Sequence, residues 1–331
     1  MTAFANRASM PVVAALVSLL GCASGGGSST TTQASATVPV SSLALDSDRT
    51  GNYEIYLLDA AGNTSQLTQD AAWDSWWPKI SPDRKHILLY RTPKGVHDTD
   101  YTKTSLWEMA SDGSGLHALI ANGANGWQFQ GHAEWSPDGS RLVMFAGTPA
   151  NLQIFTTDGN GQTPQAITSR PGPNLDPSWS KDGLTIAFIS TPNGTFAQTD
   201  YEVYTLPAAG GTATRITNDG LIDNDPYVSP DGSSLAWLTQ TLPPGSPGKP
   251  LGTWGIRKAA RNGSNPGVVI DDGQINSKPD WSSDGTLIRF HRTIYSGTGK
   301  FSVFEIHPDG SGLRELTPGQ ASNNEFPNAG L

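Results

Sequence analysis

An all-β fold, a six-bladed β-propeller closed by its own two termini, follows from three features of this 331-residue chain. The first is a five-letter motif. WSPDG at Trp135–Gly139 has near-copies beginning at Ile80, Trp179, Val228 and Trp281, and a sixth equivalent at Ala329, aligned through Pro327. Successive starts lie 55, 44, 49, 53 and 48 residues apart, the period of propeller blades built from short strands. The second is a half-motif repeated in register, as in EIYLLDAAGNTSQLT from Glu54 and EVYTLPAAGGTATRIT from Glu202, again in six copies. The third is composition. With 37 glycines, 24 prolines and only 15% charged residues, the chain is rich in turns and poor in solvated helix faces.

Each repeat specifies four strands. The PxWS segment is the innermost strand, with proline at its entry, where no ladder donor is needed. Asp-Gly then makes a tight turn, because glycine accepts positive φ. Strand two follows, of the type RLVMFA. A variable loop leads to strand three, of the type EVYTL, and a glycine-rich turn to a fourth strand ending in Ile-Thr or Leu-Thr. Tryptophans at fixed positions fill the gaps between wedge-shaped sheets. The aspartates of WSPDG are therefore turn residues, not catalytic acids. At the termini, SSLALDSDR resembles a strand two without its strand one, and EFPNAG supplies a strand one and stops. One blade is expected from both ends, which removes two sheet edges.

The formal net charge is −9 and no block of lysine and arginine exists, which excludes a nucleic-acid surface. The N-terminus is a processing segment. Its apolar run, Met10–Leu20, is short for a membrane span and is followed by Gly21 and the only cysteine, Cys22. LLGC resembles a bacterial lipoprotein signal peptide. That resemblance implies cleavage after residue 21 and lipidation of Cys22. Residues 22–41, dominated by Gly, Ser and Thr, are expected to form a flexible tether, with the propeller in 42–331.

The stretch SDRTGNYEIYLLDAAGNTSQLT and the WSPDG series resemble the TolB-type β-propeller repeat, across roughly residues 42–331. The resemblance is specific for fold and weak for function. Two departures are noted: no α/β domain stands between the tether and the repeats, and no hydrolase domain or G-x-S-x-G elbow follows them. It implies a bacterial envelope protein; the lipoprotein signal adds a lipid anchor, and Ala23 after Cys22, rather than Asp, is compatible with the outer membrane, facing the periplasm. The membrane contact would be through lipid alone, and the partner another envelope protein or a peptide.

Propeller topology places the long loops, 91–104, 190–200, 239–253 and 292–300, on one face, where binding usually resides. The residues preceding the inner-strand prolines should ring the channel mouth there: Trp77, His132, Asp176, Asp225, Lys278 and Phe326. Trp76, Asn224 and Glu325 lie one step outward, and Gln130, Asp223 and Asn276 one step further. Three uses compete. Trp76, Trp77 and Phe326 suit exposed anchors for a protein, a peptide or a glycan. His132 with Asp176 and Asp225 suits a divalent cation, and Gln130 and His132 resemble the ligands of propeller oligogalacturonate lyases. The third use is a solvated channel mouth with no ligand. His291 is expected at a solvent edge. The favoured reading is a non-catalytic adapter, the alternative a glycan binder or metal-assisted lyase. No catalytic residue, cofactor or metal ligand is assigned.

Overall fold

In the computed structural model, residues 37–195, 200–294, 299–319 and 321–330 are described. The expected signal peptide, Cys22 and most of the expected tether lie outside them, as do parts of the loops at 190–200 and 292–300. Among the described residues no helix is long and apolar enough to cross a membrane.

The chain folds as an all-β propeller, with twenty-four strands among the described residues. Four sheets have four strands each, and a fifth has eight. In the larger sheet the Ile275–Trp281 strand meets the Thr253–Ala260 strand through one parallel pairing, Trp254 with Ile275. The first sheet joins both ends of the chain: Leu43–Ser47 pairs with Glu54–Leu58 on one side and with Asn324–Asn328 on the other. The innermost strands are Trp73–Ile80, Phe129–Trp135, Asn174–Trp179, Asp223–Val228, Ile275–Trp281 and Asn324–Asn328. Each touches the next, and the last touches the first. Packing begins slightly before residue 42. Val38 is buried, its amide donates to Arg84 O, and its carbonyl accepts from Arg84 Nε.

The repeated letters have repeated bonds. In five turns the WSPDG aspartate Oδ1 accepts from the preceding serine Oγ, as in Ser136–Asp138 at 2.6 Å and Ser282–Asp284 at 2.6 Å. These bonds hold the Asp138 and Asp284 carboxyls down at about 2. The closing threonines Thr68, Thr168, Thr217 and Thr317 accept from the strand-three amides of Ile55, Ile154, Val203 and Val303. The Ile-Thr signature thus ties strand four to strand three.

Candidate functional site

Each of the six innermost strands contains a β-bulge, in the same place. Trp76 pairs with Tyr90 and Lys79 with Leu88, so Trp77 and Pro78 face the single residue Leu89. Equivalent register shifts occur at Gly131/Glu134, Leu175/Ser178, Asn224/Tyr227 and Ser277/Asp280, and opposite Phe326 in the pairing with Leu43–Ser47. Proline follows the ring residue in five of the six strands, and Ala133 in the remaining one. Lacking an N–H, proline leaves the ladder free to bulge there. The six ring residues adopt left-handed φ of 48–56° without being glycine: Trp77, His132, Asp176, Asp225, Lys278 and Phe326. Such a conformation is uncommon for any residue and an outlier for bulky ones. Its recurrence in all six strands marks it as part of the repeat.

The bulges bring all six predicted ring residues together. Trp77 stacks on His132 at 4.1 Å between centroids and lies 5.1 Å from Phe326. His132 Nδ1 is 2.6 Å from Asp176 Oδ1 and 4.0 Å from Asp225 Oδ1. Lys278 Nζ donates to Asp225 Oδ1 at 2.8 Å, approaches His132 Nε2 at 3.4 Å, and sits 4.6 Å above the Trp77 ring. One atom each of His132, Asp176 and Asp225 converge within 4.8 Å, which is metal-ligand spacing. The Lys278 ammonium already supplies positive charge at Asp225.

These side chains are buried, which corrects the expectation of exposed anchors. Trp77 is 4% exposed, Phe326 5%, Trp76 0% and His132 1%. The cover comes from the 91–104 loop. Tyr101 Oη lies 2.8 Å from His132 Nε2 and donates to Asp98 Oδ1. His97 Nε2 lies 3.3 Å from Asp46 Oδ2 and its ring stacks on Tyr53 at 3.5 Å. Burial alone would lower the His97 imidazole, but the bond to Asp46 and that carboxylate's charge outweigh it, raising it to about 9. Burial pushes the Asp46 carboxyl up, opposed by His97.

Three of the residues expected just outside the ring are engaged elsewhere. Trp76 turns into its sheet, where Nε1 donates to Thr92 Oγ1 and the ring packs on Tyr90. Gln130 donates to the carbonyls of Thr104 and Ala121, both at 3.1 Å. Glu325 accepts from Tyr53 Oη at 2.8 Å, and burial pushes its carboxyl up to about 7, against the pull of His97. His291 is a further correction: it is 3% exposed, its Nδ1 accepts from Phe326 N, and its Nε2 faces Glu325 at 3.7 Å. Burial, with Lys278 and His97 adding, holds it well below the usual imidazole range.

A second tier was missed by sequence reasoning. Two residues beyond each ring position stand Lys79, Glu134, Ser178, Tyr227, Asp280 and Asn328. Strand alternation returns these side chains to the channel. Lys79 Nζ donates to Tyr227 Oη at 2.9 Å and faces Glu134 at 3.7 Å and Asp280 at 3.9 Å. Asn328 donates to Asp280, and Ser178 to Pro226 O. Burial raises the Glu134 carboxyl to about 7 although Lys79 opposes it. The signal was legible: these are the letters directly before each WSPDG equivalent. The cavity beside this tier holds about 30 Å³, space for one or two waters. The channel is thus packed with paired charges and aromatic rings, and offers proton carriers already engaged with one another.

A closed all-β ring whose inner strands bulge at one repeated position defines the class as a β-propeller. Residues 120–244 match the family described as the TolB beta propeller domain, and the chain carries TolB-type β-propeller repeats. It is 24% identical over 245 residues to the uncharacterized protein Atu1656 of Agrobacterium fabrum, covering 72% of this chain and 78% of that one. To the Tol-Pal system protein TolB of Bordetella pertussis it is 25% identical over 249 residues, covering 60% of this chain but only 56% of that protein. The crystal structure of TolB from Acinetobacter baumannii superposes with a TM-score of 0.68 at 17% identity, over 87% of this chain and 66% of the other. That likeness establishes the fold.

Proposed function

We propose that this chain is a six-bladed, non-catalytic binding module of the bacterial envelope, which holds a protein or peptide partner on its long-loop face. The six-blade count is supported by the cyclic neighbour relations of the six innermost strands and by the single parallel pairing that divides the eight-stranded sheet. The matched TolB proteins favour an envelope setting, facing the periplasm. Cys22 after its apolar leader favours a lipid anchor in the outer membrane. A Cys22→Ser variant should then appear in the soluble fraction rather than the membrane fraction.

The observation that carries the binding reading is a pair of exposed apolar side chains on the long-loop face, alongside Val40, Leu184, Val268 and Leu313, which are exposed elsewhere. Leu242 is 42% exposed and Ile294 38%. Leu242 ends one second strand and Ile294 directly follows another, in neighbouring ladders on the loop face. The ring aromatics are enclosed, so a partner would meet these loops first and the ring only if the 91–104 cover moved. Crosslinking capture from native envelopes, comparing the natural chain with a Leu242→Asp/Ile294→Asp variant, tests this. A defined protein held by the first and lost by the second supports the surface. Equal capture by both sinks it.

One observation favours the carbohydrate-active alternative, either a glycan binder or a metal-assisted lyase: the convergence of His132, Asp176 and Asp225. Under that reading a divalent cation must displace Lys278 from Asp225. A metal-dependent activity on an acidic glycan that disappears in His132→Ala would move the assignment there.

A further inference from the structure

Outside the channel, one corner of the ring has gained a carboxylate that its sister corners lack. The internal repeats serve as the comparison. At the first corner, both oxygens of Glu54 are occupied: Oε2 accepts from Thr68 Oγ1, and Oε1 from Asn52 Nδ2 and Asp70 N. The inner-strand residue two before the ring position is Ser75 there, register-paired with Arg91, whose guanidinium holds Asp70 at 2.6 Å. At a second corner the set is neutral. Gln153 Oε1 accepts from Thr168 Oγ1 and Asn174 Nδ2.

The third corner has Glu202 in the Glu54 place and Asp223 in the Ser75 and Asn174 place. Its register partner is Thr239, where Arg91 and, in another ladder, Arg292 stand. This corner therefore adds a carboxylate and lacks that guanidinium. Glu202 Oε1 accepts from Arg215 Nη2 at 2.7 Å and from Gly220 N, while Oε2 is buried without a hydrogen-bond partner. Asp223 Oδ1 accepts from Thr239 Oγ1, while Oδ2 is likewise buried without one. Both residues are 0% exposed. Asp219, exposed to solvent, completes the set, and one oxygen from each of the three carboxylates lies within 4.8 Å of the others. Burial, opposed by the hydroxyls of Thr217 and Thr239 and aided by Asp219 and Glu202, lifts the Asp223 carboxyl to about 7. A buried Glu202 oxygen without a donor, beside a second fully buried carboxylate at the edge of solvent, is costly unless something positive joins them.

We propose that Glu202, Asp219 and Asp223 form a binding site for a hard divalent cation of the calcium type, pinning the 217–223 turn to the third and inner strands on either side of it. An all-oxygen, carboxylate-rich donor set selects Ca²⁺ or Mg²⁺ over thiophilic metals. Asp219 gives the ion its path from solvent.

The test is calorimetry and thermal unfolding of the chelator-treated full chain with added CaCl₂, MgCl₂ and MnCl₂. Calcium should bind at one site, with a dissociation constant in the roughly 10⁻⁴–10⁻³ M range of extracellular modules, and should raise the midpoint of unfolding. Asp219→Asn, at an exposed position where folding is safe, should weaken binding at least about tenfold. Asp223→Asn, which restores the residue used at the sister corner, should abolish binding and raise the midpoint of the metal-free protein. Asp225→Asn, in the channel, should leave calcium binding unchanged. The proposal is overturned if none of the three ions produces heat or a shift. It is equally overturned if binding survives Asp219→Asn and vanishes with Asp225→Asn, which would place the ion in the channel.

Discussion

Lys278→Met isolates what holds the channel together. The ammonium lies 2.8 Å from Asp225 Oδ1 and 3.4 Å from His132 Nε2, and over the face of Trp77, with its side chain 8% exposed. At 2.8 Å, with an effective dielectric of about 20, the attraction to Asp225 alone is about 6 kcal/mol before desolvation is subtracted. Removing the lysine leaves the Asp225 carboxylate, and Asp176 across His132, buried without that cation. Loss of one partner of a buried pair costs about 3–5 kcal/mol. For a domain of this size that lowers the midpoint of thermal unfolding on the order of 10 °C. Adding Asp225→Asn to Lys278→Met removes the stranded charge and should recover most of the loss, giving a coupling energy of about 2 kcal/mol or more in a double-mutant cycle. The exposed pair Lys103–Asp100, at 3.4 Å, is the internal control: Lys103→Met should cost less than about 1 kcal/mol. Scanning calorimetry and urea unfolding read the natural chain, Lys278→Met, Asp225→Asn, the double variant and Lys103→Met. If Lys278→Met unfolds within a degree or two of the natural chain, or Asp225→Asn gives no recovery, then the channel pair contributes little and the packed ring alone sets stability.

Two further outcomes follow from the same geometry. Glu134 has its carboxyl raised to about 7 by burial, so its folded value stands above the ordinary 4.5. Its contribution is complete below about pH 4.5 and is lost as pH rises through about 7, a span worth about 3 kcal/mol. Glu134→Gln should flatten the stability profile over that window and stabilise the protein at pH 8, checked by urea unfolding at stepped pH. Trp77→Ala deletes a buried ring stacked on His132 and beneath two ammonium groups. It should cost about 3–5 kcal/mol, and in circular dichroism its effect should be loss of stability rather than loss of fold.

Asp138 and Thr68 show what was readable in advance. Each belongs to a letter pattern whose bonds are local. An aspartate two residues after a serine, followed by glycine, caps its own turn, and a threonine fourteen residues after a strand-three start meets the strand beside it. The second channel tier was equally local, since Lys79, Glu134 and Tyr227 each stand one letter before a WSPDG equivalent. Finding it needed only the alternation of a strand carried through the bulge.

The ring positions themselves came from the repeat, but their environment did not. Asp46, His97 and Glu325 lie far apart in sequence and meet around Tyr53 and Phe326, where they share protons and charge. The six ring residues read as a chemically rich opening, yet His97 and Tyr101 cover them from a loop whose letters carry no periodic signal. The same holds for the acidic corner. Glu202 and Asp223 are ordinary letters in their repeats, and only superposition of the ladders reveals that one corner has two carboxylates where its sisters have one or none. The repeated letters determined the strands, the turns and the closure of the chain on itself, because those depend on backbone hydrogen bonds between neighbouring segments. Burial, charge partnership and access were decided by the closed ring, because they depend on which of the repeats face one another across it.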